Sequence, residues 1–326
     1  MRALLLRELT GPAALKVEDV PEPEGGEGLV VFDVHAAGVG FVDMLVTRGD
    51  YQIRPQLPFV PGIEAAGVVR SAPPEAGVKP GDRVAATLPF GAFAEVAAAP
   101  AFLTFRIPDE MTYDVAAGFV VNHQTAHLGL VRRGRLAPGE SVLVHGAAGG
   151  VGTASIQVAK AAGAGTVIAV AGGEHKQRVA LDAGADLVVD PGEDWVARVR
   201  EATGGVGVDL VVDPVGGERF DLSLKCMAPG GRLLVVGFAG GTIPKLSVNR
   251  LLLRSIDVVG VNYGGSLPFD QEFPAAAHDD LIRWWRRGAL DPVVGAIYSL
   301  EEGARALQDF AERRVFGKPV IRVRED

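Results

Sequence analysis

Between residues 141 and 261 six short apolar segments recur: Ser141–His145, Thr166–Ala171, Asp186–Val189, Asp209–Val212, Arg232–Val236 and Ile256–Val261. A strand that is apolar along its whole length, rather than on alternate residues, is buried on both faces. That happens when helices cover both sides of a parallel sheet. Helical segments at Val151–Ala162, Lys176–Ala183 and Phe220–Met227 stand between these strands. The alternation predicts an α/β domain built on a doubly wound parallel sheet.

The rest of the chain has a different rhythm. The first hundred residues read as short strands (Ala3–Arg7, Val17–Val20, Leu29–Ala36, Arg83–Thr87) separated by Gly and Pro turns such as Pro61-Gly62 and Pro80-Gly81-Asp82. After Tyr263 helices are expected at Asp279–Arg287 and Leu300–Arg313, and a closing strand at Lys318–Val323. At about 150 residues per domain, 326 residues make two domains. The economical division is a parallel-sheet domain at 123–264 inserted into a β-rich domain made of 1–122 and 265–326.

The first of the six strands runs directly into Gly146-Ala147-Ala148-Gly149-Gly150-Val151-Gly152 and then a helix. A glycine turn between strand and helix lets backbone approach a pyrophosphate. The helix start adds unpaired N–H groups and partial positive charge. The flanking strand and helix, with further β/α units behind them, supply the context that a Rossmann dinucleotide site requires. The first glycine of the usual G-x-G-x-x-G pattern is replaced by Ala147.

The second strand bears on which dinucleotide binds. A site for NAD places an acid at its tip, about 20 residues on, for the ribose hydroxyls. Here the strand ends Val170-Ala171-Gly172-Gly173, with Lys176 and Arg178 just beyond. A vacancy flanked by cations suits the 2′-phosphate of NADP. Glu174, and Asp190 at the end of the third strand, argue the other way.

Composition narrows the partners. With 48% hydrophobic residues the chain has enough apolar surface to fold, and a net charge of −8 offers no basic stripe for nucleic acid. The single cysteine, Cys226, allows no internal disulfide and no cysteine-rich zinc site, and falls in an expected apolar helix as a packing residue. The start, MRALLLRELTG, returns to charge too early for a signal peptide, and Val115–Val131 is interrupted by Asn122, His123, Gln124 and His127. These features predict a cytoplasmic protein. His123 and His127 stand four apart, as a metal pair does on a helix, but no acidic third ligand follows them in sequence.

With Ala147-Ala148-Gly149-Gly150-Val151-Gly152, Gly62-Ile63-Glu64-Ala65-Ala66-Gly67, the Gly81-Asp82-Arg83-Val84 turn, Asn122–Ala126, Leu251–Gly260 and Gly317-Lys318-Pro319-Val320-Ile321, the chain resembles the medium-chain dehydrogenase/reductase superfamily. Within it the similarity is to the zinc-free, zeta-crystallin-like quinone oxidoreductase branch. The resemblance implies a GroES-like β-rich catalytic domain around the Rossmann domain, a cleft between them, and homodimers formed through the last Rossmann strand. The zinc alcohol dehydrogenases of the superfamily carry Gly-His-Glu at Gly62-Ile63-Glu64 and a cysteine at or beside Phe41; isoleucine cannot ligate a metal. The expectation is therefore no metal, with hydride passed from NADPH to a small electrophile, a quinone or an α,β-unsaturated carbonyl.

The same resemblance implies the site residues. Tyr51 is the candidate catalytic side chain, orienting an acceptor oxygen, with a surface loop tyrosine as the open alternative. Cofactor contacts fall to Phe41, Asn122, Thr125, Ala148, Gly149, Gly150, Val151, Gly172, Lys176, Val215, Phe238, Val261, Tyr263 and Lys318. For Asn122 and Thr125 helix-start capping is the alternative, and for Lys318 a surface cation. Asp43 matches a frequent family aspartate. Two departures are notable: Gly40 stands where the family often has Asn, and Leu45 where it has a second Tyr. Their lost polarity motivates a second reading, a nucleotide-binding sensor without turnover.

Overall fold

A computed structural model of the chain describes residues 1–192 and 194–325. It divides into two compact units, one of Met1–Val121, Gln271–His278 and the chain from Pro292 on, the other of Asn122–Asp270 and Asp279–Asp291.

Along the chain come β1 (Arg2–Leu6), β2 (Leu15–Asp19), β3 (Leu29–Gly38), α1 (Phe41–Arg48), β4 (Glu64–Ser71), β5 (Arg83–Thr87), β6 (Val96–Pro100), β7 (Thr104–Arg106) and α2 (Tyr113–His127). The second unit follows with β8 (Ser141–Val144), α3 (Gly150–Ala161), β9 (Thr166–Val170), α4 (Glu174–Asp182), β10 (Leu187–Val189), α5 (Trp195–Ala202), β11 (Val208–Asp213), α6 (Glu218–Ser223), β12 (Met227–Val235), α7 (Asn249–Arg254), β13 (Asp257–Gly260) and α8 (Tyr263–Ser266). The chain ends with α9 (Phe273–Arg286), β14 (Val294–Ser299), α10 (Gly303–Ala311) and β15 (Lys318–Arg322).

The second unit's sheet is parallel throughout, in the order β10-β9-β8-β11-β12-β13. The chain starts in the middle, at β8, winds outward to β10, then returns to wind the other way. The crossover leaves a crevice at the carboxyl ends of β8 and β11, where ligands of such sheets bind. Leu143, Ile168, Val170, Val211 and Leu233 fill the core with Phe220 and Trp195, which explains why these strands are apolar on both faces. In the first unit β14-β15-β3-β4-β5-β7 form a mostly antiparallel sheet, with β6 also on β3, around Phe32, Phe93, Leu4, Leu6 and Leu88.

Several expectations need correction. The helix expected at Phe220–Met227 spans only Glu218–Ser223, because Ser223 turns its hydroxyl back to the Arg219 carbonyl at 2.7 Å and the chain then turns into β12. Cys226 therefore sits in that turn rather than in a helix. It is fully buried, its carbonyl accepts from the Val208 amide at 2.8 Å, and burial pushes the thiol up to about 12. Helix α9 starts at Phe273, six residues before the expected Asp279, with Pro274 in the first turn where its missing N–H costs nothing. Asn122 and Thr125 lie inside α2, so helix-start capping does not describe them. Beyond α2 the backbone continues as a π-helical stretch, Leu128–Arg133.

Candidate functional site

In the second unit, β8 delivers the chain to His145 and then to Gly146, whose φ of 58° is left-handed and favours glycine. The Gly149 amide closes the turn on the Gly146 carbonyl at 2.9 Å, and α3 starts at Gly150. Gly152 explains its own identity: a Cβ there would lie 2.7 Å from Ala147 Cα and closer still to the Gly146 carbonyl oxygen. Only glycine lets α3 press against the turn. Gly149 is exposed and Gly150 and Val151 are half-buried, so the first amides of α3 face outward as a cradle for an anion, while Ala148 is buried beneath them.

The turn after β11 stands beside this cradle. A methyl on Gly146 would come 3.3 Å from Val215 Cγ2, and one on Gly216 would come 3.0 Å from Phe238 Cδ1. Asp213 builds this turn by accepting from the Val215 and Gly216 amides, both at 2.9 Å. Burial pushes its carboxyl up, and those two amides with Arg219 oppose the shift. The structure thus brings together Ala148, Gly149, Gly150, Val151, Val215 and Phe238. Gly172 lies at the tip of β9, packed against Pro191, and Lys176 is half-buried on α4.

Two further polar residues stand at this edge: Asp190, already weighed in the sequence against NADPH, and His145, which carried no signal there. His145 is fully buried with its Nε2 2.7 Å from Ser223 Oγ; since that hydroxyl already donates to Arg219, Nε2 carries the proton. Burial, with Arg219 adding, pushes the imidazole down to about 3, so it is neutral. Asp190 accepts from the Gly192 amide at 2.8 Å, the Gly173 amide at 3.3 Å and Gln177 Nε2 at 3.2 Å. The two amides, Gln177 and Arg219 hold its carboxyl below the usual range.

The remaining expected cofactor residues of this unit are more enclosed. Asn122, Thr125, Val261 and Tyr263 are buried. The Tyr263 hydroxyl donates to Gln124 Oε1 at 2.6 Å, and Val261 packs on Gly129. His127 pairs with Asp280 at 3.1 Å, and His123 Nε2 stands 3.5 Å from Gln157 Oε1. Among the described residues no three His, Cys, Asp or Glu side chains gather as a metal site.

The first unit holds a buried charge cluster. Lys318 and Glu64, the first residues of β15 and β4, form an ion pair with both side chains nearly inaccessible. The other Glu64 oxygen, Oε2, accepts from the Val121 amide at 3.0 Å. Lys318 is therefore not a surface cation. Its stem runs over glycines: a Cβ on Gly38 would lie 2.6 Å from Lys318 Cε, and one on Gly118 2.9 Å from Lys318 Cγ. Gly40 belongs to the same groove, since a Cβ there would stand 3.2 Å from Lys318 Nζ.

Asp43 completes the cluster. It is 1% exposed, and its Oδ2 accepts from the Gly40 amide at 2.8 Å, capping α1. Burial raises its carboxyl from 3.8 to about 7 and Glu64 adds to the rise, against Lys318 and the Gly40 and Ile63 amides. Tyr51 is half-buried within reach of this charge; burial and Asp43 both raise its hydroxyl above 10, so at neutral pH it is a donor. Phe41 and Leu45, on the same helix as Asp43, pack against the first unit's core.

This arrangement has counterparts. The alcohol dehydrogenase GroES-like domain family matches residues 26–109, and the zinc-binding dehydrogenase family matches residues 150–281. Quinone oxidoreductase-like protein 2 of Rattus norvegicus is 36% identical over 322 residues, 98% of this chain and 91% of the rat protein. A probable oxidoreductase from Mycobacterium abscessus shares the fold with a TM-score of 0.90 at 43% identity, over 99% of each chain. A mycobacterial protein solved in complex with NADPH does so with a TM-score of 0.91 at 35% identity, over 99% of this chain and 100% of that one. Similarity at this level runs through both units, and the chain belongs to the quinone oxidoreductase branch of the medium-chain dehydrogenase/reductase superfamily.

Proposed function

We propose that the chain is a zinc-independent, NADPH-dependent oxidoreductase whose acceptor is a quinone or an α,β-unsaturated carbonyl compound. The observation that carries this is the anion cradle at the carboxyl edge of the parallel sheet, where Gly149, Gly150 and Val151 present the first turn of α3. The mycobacterial relative solved with NADPH supports the choice of nucleotide. Bound there, NADPH supplies the hydride.

The protein's own part is binding and orientation. In this reading the α3 amides would hold the pyrophosphate, Val215 and Phe238 would flank the adenosine, and Asn122, Thr125, Val261 and Tyr263 would shape the nicotinamide end. Tyr51, protonated at neutral pH, donates to the acceptor oxygen as negative charge develops there. Zinc independence is supported by Ile63, which cannot ligate, and by Glu64, whose oxygens are taken by Lys318 and the Val121 amide. The lone buried cysteine suits a reducing compartment and supports a cytoplasmic location.

The working form in this reading is a homodimer. β13 is an edge strand of the parallel sheet, and in the segment that leads into it Ile243, Val248, Leu252 and Leu253 are each more than two-thirds exposed. A second copy paired along β13 would cover them.

The test titrates NADPH and NADH separately by fluorescence, then adds menadione or a simple enone while following nicotinamide absorbance. Tighter NADPH binding with oxidation by either acceptor is the expected result. Binding of neither nucleotide overturns the proposal. Tight NADPH binding without oxidation moves the assignment to a nucleotide-binding sensor, the reading that the apolar Gly40 and Leu45 favour.

A further inference from the structure

The tip of β9 is where a Rossmann site meets the 2′ substituent of the adenosine ribose. Gly172, at that tip, has no side chain to offer, but an acid reaches the same point from the end of β10, the neighbouring strand. A Cβ on Gly172 would lie 3.9 Å from Asp190 Oδ2. The carboxyl group thus stands close to where an aspartate at 172 would carry its own. Such an acid has two opposite uses. It can grip the ribose hydroxyls, which favours NADH and repels a 2′-phosphate, or it can serve the protein's own backbone.

Its hydrogen bonds decide between the two. Oδ1 accepts from the Gly192 amide at 2.8 Å. Oδ2 accepts from the Gly173 amide at 3.3 Å and from Gln177 Nε2 at 3.2 Å. A carboxylate has about four lone-pair sites, and three donors already use this one. What is left cannot hold two ribose hydroxyls. The Gly192 and Gly173 amides, with Gln177 behind them, also hold the carboxyl below its usual range, so at neutral pH it accepts and does not donate.

The same bonds close the turn between β9 and α4. Gly173 has a φ of 79° and precedes α4 with no side chain to cap the helix. Asp190 fixes its amide instead. Gln177, in the helix, donates with the same side-chain nitrogen to the Ala171 carbonyl at 3.2 Å. Ala171, Gly173, Gln177 and Asp190 are thereby joined in one ring of hydrogen bonds, and Pro191 packs on Gly172. The ring fixes the backbone from the β9 tip to the first turn of α4, which carries Lys176.

We propose that Asp190 is a positioning residue for the 2′-phosphate of NADPH: it holds the β9–α4 turn in the shape that receives the phosphate, and it is not a ribose-binding acid. This rests on the nucleotide reading above and adds to it the residue that sets the turn. The charge of Asp190 does not bar a phosphate, because three donors already face it. Preorganisation is felt most by the ligand group that meets the ordered segment, so NADPH depends on Asp190 more than NADH does.

The experiment measures dissociation constants of NADPH and NADH by calorimetry for the unaltered chain, Asp190→Ala, Asp190→Asn and Gln177→Leu, with thermal melting as a check on folding. Asp190→Ala removes hydrogen bonds to a charged group and is expected to weaken NADPH about tenfold and NADH less than about threefold. Asp190→Asn keeps an oxygen for the turn and is expected to recover part of the loss. Gln177→Leu is expected to move the ratio of the two constants in the same direction as Asp190→Ala. An acid that repels the phosphate gives the opposite sign, because removing or neutralising it leaves NADPH bound more tightly. Tighter NADPH in either Asp190 variant, unchanged NADPH in Asp190→Ala, or equal weakening of both nucleotides would overturn the proposal. Should Asp190→Ala melt early, Gln177→Leu decides: an unchanged ratio overturns it. An unaltered chain that binds both nucleotides equally overturns this assignment alone, whereas one that binds neither overturns the nucleotide reading and this with it.

Discussion

A carboxyl group that titrates near neutrality inside a protein links folding to pH, and Asp43 is such a group. Its proton affinity is higher folded than unfolded, so the folded state holds the extra proton between about 4 and about 7. The stability it contributes is fully present below the unfolded value and is lost as pH rises through about 7. Asparagine keeps an oxygen for the Gly40 amide and cannot ionise. Asp43→Asn is therefore expected to flatten the fall of stability between pH 5 and 8, read from urea unfolding midpoints; an unchanged slope would remove Asp43 as the cause. Tyr51→Phe takes away one donor without altering ring volume. Under the proposed mechanism turnover falls at least about tenfold while NADPH affinity stays the same, measured by steady-state kinetics beside a binding titration. Sequence identified Asp43, Tyr51 and Lys318 but not their relation, because Lys318 and Glu64 meet only when β15 and β4 assemble into one sheet.

Among the elements, the β8–α3 turn ties sequence most tightly to shape. Because a Cβ on Gly152 would strike Ala147 Cα and the Gly146 carbonyl, Gly152→Val must push α3 away from the sheet. Overpacking of this kind costs about 1–3 kcal/mol. The expected outcome is a folded protein with a lower melting temperature and nucleotide affinity reduced at least tenfold; undiminished affinity would show that the cradle lies elsewhere. All six parallel strands were legible because burial on both faces leaves an apolar run that no surface strand shows. α1 and α5 were not. Each is eight residues long, and α1 is fixed by the Asp43–Gly40 cap and α5 by the Asp194 side chain on the Ala197 amide, local contacts that leave no long periodic pattern. The end of α6 was misplaced for a related reason, since Leu222, Leu224, Cys226 and Met227 continue an apolar run after the helix has stopped.

For the molecule as a whole, the open edge at β13 and the apolar side chains of the segment that leads into it set the expected assembly. Light scattering should give twice the 34.0 kDa of one chain, and Leu252→Glu with Leu253→Glu should return it to one. NADPH affinity should survive that change, because neither leucine belongs to the cradle. A wild-type chain that runs as a monomer would leave the exposed patch to some other partner. The chain passes from one unit to the other at Val121–Asn122, near where the apolar pattern changes period, and Asp279–Asp291 returns to the second unit.

The groove under Lys318 has a consequence for how this sequence can drift. Gly118 is small because the lysine stem lies on it, Gly38 because the Ala117 carbonyl and the lysine stem both do, and the stem lies there because its ammonium pairs with Glu64. An alanine at 38 or 118 has no room while the lysine remains. A shorter side chain at 318 would make the room at 118 but not at 38, where the Ala117 carbonyl remains, and it would strand a buried carboxylate at 64. Positions 64, 118 and 318 can therefore change only together, each single step leaving a clash or an unpaired buried charge, whereas 38 stays glycine whatever the other three become.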